Sequence, residues 1–513
     1  MNQRSLSPER TPVIVGVGEF SDRIGDDHAG YEPRDLLVRA IRRADDDAGG
    51  GWLGKVTSLD IVNVLSWPYR DLPRQLCGAL DITPQRAEHS PAGGETPLRL
   101  IHDVANHIAA SDGTGRDVAL ICGAEAFRSV GMAMKKKEAL DWTPPDPDYR
   151  RPVIEDVVGM DMFRYGFDSA ASVYALYENA LRASRGLSHR AVQQETGKLW
   201  AAMSEVAAGV EEAWIRTPRD AAEIATGSAD NRPIAFPYNK LMVANDAVNQ
   251  SAAVIVTSLA MARAAGVAEE AIVYVWGGAG AKDKADFRDR DRYDRSISIE
   301  TVLEKTLCGS GLGREDIDAV EFYSCFPCVP KLAARSLGTP DNLVPTVAGG
   351  LTYFGGPGND YMTHAVVNMV RTIRHGAHHG LLLGNGDLVT KHHAMILADH
   401  APGADMFPVR YDVQAEADAR REAVPEIVPT HDGPARLETY TVRYLRSGEP
   451  EFGLAVCRTG DGKRFVARIP ASDETTIRAL IGQEGREWRE PIGSQGIARS
   501  DGADSFTEWA IAV

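Results

Sequence analysis

Short, unbroken apolar runs alternate along this chain with segments whose apolar residues recur at helical spacing. Residues 12–18, PVIVGVG, are apolar throughout and close on glycine, as a strand buried on both faces does. Residues 98–110, LRLIHDVANHIAA, carry apolar groups at helical spacing and lead into a second short run at 118–123, VALICG. After a long charged stretch the series resumes with an apolar, partly helix-like run at 252–259 and a strand at 271–278, AIVYVWGG. A helix over 299–307 and a strand at 319–322 come next, then a helix over 361–373 and a strand at 380–386, GLLLGNG. The unit of helix, short strand and small-residue turn occurs twice, as HDVANHIAA…VALICGAE and as MVRTIRHG…GLLLGNGD. That recurrence predicts a duplication, with two mostly parallel α/β halves packed together.

The stretch 128–240 holds WTPPDPDYRRP and two helix-like segments, 171–183 and 189–213, and reads as an inserted loop domain. Residues 401–435, rich in Asp, Glu, Ala and Pro, read as a linker. Beyond them the period becomes two: Tyr440, Val442 and Tyr444 alternate, as do Phe452, Leu454 and Val456, and Phe465, Ala467 and Ile469. Breaks at 447–450 and 460–462 separate these runs, which predicts an antiparallel meander in a small β-rich domain over 436–513, of the closed-barrel, OB-like kind. The first half then comprises 1–127 with a return at 241–278, and the second half 279–400.

Composition narrows the function classes. At 513 residues the chain exceeds one core. The net charge of −16 opposes non-specific binding to nucleic acid or anionic membrane. No apolar run reaches the ~18 residues of a membrane span. The opening MNQRSLSPERTP lacks the apolar core of a secretory signal. Six cysteines without metal-ligand spacing point to reduced thiols and a cytoplasmic location. Cys325 and Cys328 form a lone CxxC filled by Phe326 and Pro327, with no second pair to complete a zinc site. GVGEF at 16–20 lacks the third glycine of a dinucleotide fingerprint.

The densest cluster of helix breakers is GGLTYFGGPGND at 349–360, with five glycines and a proline in twelve residues. It must be a loop, and its glycines suit close backbone approach to a ligand. Other landmarks stand around it in order: GAEAFRS at 123–129, NKLMVANDAVNQSAAVIVTSL at 239–259, VEFYSCF at 320–326, and GNG at 384–386. Together these resemble the loops of the thiolase superfamily, in the branch of sterol-carrier-associated thiolases. Within it they are similar to the thiolase-like proteins of type 1, which carry an extra C-terminal β domain. The resemblance spans about residues 12 to 400. It implies a duplicated αβαβα fold, an inserted domain that holds coenzyme A, and acyltransferase chemistry on acyl-CoA.

The residues depart from that chemistry. Thiolases use a cysteine at a helix N-terminus, where the thiol pKa is lowered. Here the matching stretch is HSPAGGETPL at 89–98, and the nucleophile's place falls at Pro91. The histidine of the family's glycine loop falls at Gly356, and the second cysteine falls at Leu382. None of these side chains can attack a carbonyl or exchange a proton. The remaining polar groups are Tyr323 and Tyr361, which match tyrosine positions of a retro-aldolase branch of the superfamily. Around them lie Ser324, Cys325, Gly355, Asn359, Asp360, His364 and Asn385 as candidate substrate contacts. Lys135, Lys136 and Arg150, with Lys137 and Arg151 beside them, are candidates for the phosphates of coenzyme A. His392 and His393 are adjacent on a strand and point opposite ways, and His102 and His107 stand five apart on a helix, so neither pair suits a metal.

Three readings stay open. The chain binds an acyl-CoA or related thioester without thiolase catalysis, it cleaves a β-hydroxyacyl thioester through Tyr323 and Tyr361, or it is a non-catalytic interaction module. No cofactor beyond the thioester ligand is implied, and the chain is expected to be a monomer or a homodimer.

Overall fold

The computed structural model describes residues 6–25, 30–110, 117–150, 154–339, 343–403, 410–482, 488–500 and 506–512. In the part before residue 400 the strands are β1 (Pro12–Ser21), β2 (Ser58–Ile61), β3 (Arg86–His89), β4 (Val118–Ala126), β5 (Pro233–Ala235), β6 (Tyr238–Asn239), β7 (Asn249–Ser258), β8 (Val273–Lys282), β9 (Ala319–Phe322), β10 (His379–Gly386) and β11 (Lys391–Ala398). Nine of them join in the order β3-β2-β4-β7-β1-β8-β11-β10-β9. The order is palindromic about the β1–β8 pairing. On one side β2 runs parallel to β4, which is antiparallel to β7; on the other β9 runs parallel to β10, which is antiparallel to β11. This is the duplication the repeated unit predicts, but the expectation of mostly parallel halves is corrected. Five of the eight pairings in this sheet are antiparallel, because β7 and β11 each enter beside a strand running the other way.

Helices divide the layers. The helices Thr96–Ala110 and Tyr361–Arg374 touch each other and touch strands of both halves, so they form a shared central layer. Helix Pro33–Asp47 packs on β1, β4 and β7, and helix Ile297–Ser310 on β8 and β11, as the two outer layers. The result is an αβαβα sandwich. The glycines of GVGEF serve this packing: a Cβ on Gly16 or Gly18 would lie 2.2 Å from the carbonyl oxygen of Ala44 or Ala40 on the outer helix. They bring a helix close to a strand.

The run at 252–259 is a correction. Its partly helix-like reading gives way to strand β7, buried at every position. Val254, Ile255 and Val256 are β-branched, and a strand covered on both faces loses the alternation that would mark it.

The C-terminal strands are β12 (Gly433–Tyr444), β13 (Pro450–Thr459), β14 (Arg464–Pro470), β15 (Gln495–Ser500) and β16 (Thr507–Ile511). They close in the ring β12-β13-β14-β16-β15, with β14 parallel to β16 and helix Glu474–Ile481 between β14 and β15. That is a five-stranded OB-type barrel around Leu437, Tyr440, Phe465 and Trp509. The insertion lends it the hairpin β5–β6, which pairs with β12 at Arg443 and Ala235 and places Phe236 in the barrel core. Within 401–435, helix Gln414–Arg420 buries Ala417, and the Gly280 N–H donates to the Tyr411 carbonyl oxygen, so part of this segment packs on the second half.

One buried contact ties the central layer to the sheet. His102 Nδ1 lies 3.0 Å from His393 Nε2, while His107 is exposed and His392 turns toward Asp283. Burial pushes His102 down to about 3 and His393 well below the usual range. Both rings are neutral in the fold, whereas an unfolded imidazole takes a proton below about pH 6.5. Their contribution to stability is therefore complete above about pH 6.5 and is lost as the pH falls toward their folded values. Each costs up to about 1.4 kcal/mol per pH unit on that limb. His393→Phe is expected to make acid unfolding shallower between about pH 6 and 4; an unchanged slope in urea titrations across that range would refute this account.

Candidate active site

Four loops converge: the one between β3 and the first central helix, the one after β9, the glycine loop, and the end of β10. Gly94 stands at their centre. A Cβ built on it would lie 2.7 Å from Tyr323 Oη and 2.4 Å from the Asn385 carbonyl oxygen. Gly94 comes two residues before Thr96, the first residue of the central helix, at the positive end of the helix dipole. Pro91, the place assigned from sequence, is exposed three residues earlier. The position facing the phenol has no side chain at all.

Unpartnered polar groups surround this glycine. The Tyr323 hydroxyl makes no hydrogen bond among the described residues, and burial first, then Cys325 and Glu95, holds it far above the usual phenol range. Glu95 is buried, and its Oε2 has no hydrogen-bond partner among the described residues. It fills a niche in which a Cβ on Gly93 or Gly386 would come within 2.4 or 2.2 Å. Burial raises its carboxyl above the ordinary range against the pull of Lys391. Asn385 donates from Nδ2 to Tyr174 Oη at 2.9 Å, while its Oδ1 is buried without a partner. The Cys325 thiol lies 4.0 Å from Asn385 Nδ2, and burial pushes it up to about 12, so it stays a thiol at neutral pH.

The insertion roofs the cluster with aromatic rings. Tyr174, on helix Ala170–Ser184, stacks on Phe326 at 4.4 Å and donates to the Asp387 carbonyl oxygen at 2.6 Å. Tyr238 packs on the same Phe326 at 5.5 Å and donates to Glu178 at 3.2 Å.

Tyr361 does lie against Tyr323, edge to face at 5.8 Å. Its hydroxyl, however, donates to Glu321 Oε1 at 2.8 Å. The other oxygen of Glu321 accepts from the Thr346 hydroxyl and from the N–H groups of Val347 and Ala348. Burial lifts Glu321 to about 7 despite these four donors. The Tyr361 hydroxyl is thus taken up by the same carboxylate that holds the start of the glycine loop.

That loop meets protein at most of its glycines. A Cβ on Gly349 would lie 2.4 Å from Ala207 Cβ, one on Gly350 2.9 Å from Met203 Sδ and Ser324 Oγ, and one on Gly355 2.3 Å from Gln250 Oε1. Gly349, Gly350 and Gly355 also have φ of +112°, +75° and +122°. Gly356 differs: its nearest neighbours would be at 3.4 Å, and its N–H donates to the Asn245 carbonyl oxygen at 2.7 Å. The close approach expected for a ligand is, at three of these glycines, made by the insertion helix His189–Gly209 and by β7.

The other candidate residues divide. Asn359 reaches the site: it accepts from the Gly93 N–H at 3.0 Å and donates to the Asn63 carbonyl oxygen at 3.1 Å. Ser324 accepts from the Leu351 N–H at 3.2 Å. Asp360 and His364 lie behind the loop instead. His364 Nδ1 is 2.8 Å from Glu19, and its Nε2 is 3.6 Å from Asp360, whose carboxyl burial lifts to about 7. Leu382 is buried mid-strand in β10, opposite Met395 and Glu321. Lys135 and Lys136 are exposed in the last turn of helix Phe127–Lys136, and Arg150 is exposed and paired with Asp156 at 2.7 Å. Among the described residues, none of the three bonds to the cluster, and Arg151 lies outside the described residues. Sequence reasoning missed Gly94, Glu95, Tyr174 and Tyr238. Only the pair GG before a helix start hinted at the first.

Fold and site together define a thiolase-like double sandwich in which Gly94, two residues before a central helix, faces the Tyr323 hydroxyl. In particular, residues 412–503 match the family described as "Thiolase-like protein type 1 additional C-terminal domain". Over 98% of this chain and 99% of the other, the fold is similar to a monomeric SCP2-thiolase like protein type 1 from Mycobacterium smegmatis, at 29% identity and a TM-score of 0.80. It is also similar in fold to the Ltp2-ChsH2(DUF35) aldolase, at 16% identity, TM-score 0.57, with 76% of this chain and 98% of that one covered. Human mitochondrial 3-ketoacyl-CoA thiolase aligns over 77% of this chain and 100% of its own, at 14% identity and TM-score 0.56. No curated protein matches the chain. No described helix is long and apolar enough to cross a membrane.

Proposed function

We propose that this protein binds an acyl thioester of coenzyme A at the Gly94–Tyr323–Asn385 cluster and carries out no thiolase reaction. The observation that carries the reading is the pair of buried atoms near Gly94 that have no hydrogen-bond partner among the described residues, Glu95 Oε2 and Asn385 Oδ1, with the Tyr323 hydroxyl facing the same glycine. Buried polar atoms without partners favour a polar ligand group between them. The same place lacks a nucleophile, since Gly94 has no side chain and the nearby Cys325 is held as a neutral thiol. A ligand that prefers the native state raises its melting temperature. Acetyl-CoA or acetoacetyl-CoA is therefore expected to raise the Tm, while thiolysis of acetoacetyl-CoA with free CoA stays at the uncatalysed rate from pH 6 to 9. Absence of any thermal shift with either thioester would remove the reading, and thiolysis lost in Cys325→Ala would reverse it.

The Tyr323–Tyr361 contact favours a second reading, retro-aldol cleavage of a β-hydroxyacyl thioester. Tyr323 would take the β-hydroxyl proton as the Cα–Cβ bond breaks to an aldehyde or ketone and a thioester enolate. Both phenols are held far above the usual range by burial, and Tyr361 already donates to Glu321, so this reading is the weaker. Aldehyde or ketone release from a β-hydroxyacyl-CoA that disappears in Tyr323→Phe would establish it.

A further inference from the structure

We infer a second ligand site, for a small amphipathic anion with a carboxylate head and an aliphatic tail. It lies in a groove of about 910 Å³ between the insertion helices and helix Cys328–Leu337. That volume is within the range of small-molecule sites. The groove is separate from the cluster at Gly94, and helix Cys328–Leu337 forms one of its walls.

The walls are largely apolar: Leu181 and Leu199 from the insertion face Ala334 from the second half. The charged groups among them are mostly cations. Arg185, Lys198, Lys331 and Arg335 line the groove against a single acidic side chain, Glu195. Glu195 is already taken, in a two-pronged pair with Arg185 at 2.9 Å. Lys331 is satisfied below the surface by Glu178 and Thr196, both at 2.6 Å. Two cations are left over. Arg335 donates to the Ser184 hydroxyl and the Asp294 carbonyl oxygen and lies in the field of the Asp294 carboxylate, which Arg292 already pairs at 2.8 Å. Lys198 is exposed, and among the described residues neither Arg335 nor Lys198 forms its own ion pair with a carboxylate. A chain of net charge −16 thus concentrates unneutralised positive charge beside an apolar wall. Charge complementarity selects an anion, and the apolar wall selects an alkyl chain over a phosphate or a sugar.

The test is a titration of the full chain with 11-(dansylamino)undecanoic acid, followed by fluorescence. One saturable site is expected, displaced by laurate and not by dodecanol. Lys198→Glu, at an exposed position, is expected to weaken binding about tenfold. Ala202→Trp, which fills the half-exposed floor, is expected to abolish it, and if this variant does not fold, Lys198→Glu decides alone. No saturable binding, equal displacement by dodecanol, or affinity unchanged in Lys198→Glu would overturn the inference.

Discussion

Lys331→Met is expected to destabilise the fold by about 3–5 kcal/mol, measured as a drop in the urea midpoint at unchanged m-value. Lys331 and Glu178 have side chains only 5% and 2% exposed, and their ion pair is 2.6 Å long. Removing the cation strands the Glu178 carboxylate with the Tyr238 hydroxyl as its other partner. An uncompensated buried charge costs more than the pair itself contributes. The double variant Lys331→Met with Glu178→Leu is accordingly expected to recover most of the loss. The pair joins helix Ala170–Ser184 of the insertion to helix Cys328–Leu337 of the second half, so the result also reports how firmly the insertion is held. A single variant within about 1 kcal/mol of the parent would show that this junction is hydrated and carried by other contacts.

Gly349→Ala is expected to cost about 2–4 kcal/mol, combining overpacking against Ala207 with a left-handed φ of +112°. Gly356→Ala, in the same loop next to Pro357, is expected to cost less than about 1 kcal/mol, because its Cβ would meet only ordinary contacts. The contrast separates two uses of glycine in one loop. Equal losses at both positions would mean that backbone freedom, and not the helix pressed against the loop, explains the composition.

Much of the architecture could be read from pattern alone. The repeated helix–strand unit corresponds to the palindromic sheet, and the three alternating runs to β12, β13 and β14. What stayed hidden depends on contacts distant in sequence. The hairpin β5–β6 lies some 200 residues before the barrel strand it joins, and no local period announces such a partnership. β15 and β16 alternate in burial, but the apolar Ile497 faces outward while Gly496 and Thr507 face inward, so residue type conceals the period. At the site, the lack of any cysteine between Cys77 and Cys122 was legible. The approach of Gly94 to Tyr323 was not, because it joins residues more than 200 positions apart, while the sequence drew attention to Pro91. Glu95 was invisible for a similar reason: its isolation arises from glycines at 386 and 93 that are far apart in the chain. Tyr174 and Tyr238 looked like ordinary helix and turn residues of an insertion.

The C-terminal barrel does more than extend the chain. Thr439 of β12 donates to the Leu176 carbonyl oxygen, and Asn179 donates to that of Tyr440, so the barrel grips the helix that carries Tyr174. The same helix carries the Tyr174 hydroxyl that accepts from Asn385 Nδ2, so a substitution at the barrel seam is expected to be felt at that hydrogen bond, two elements away from the barrel.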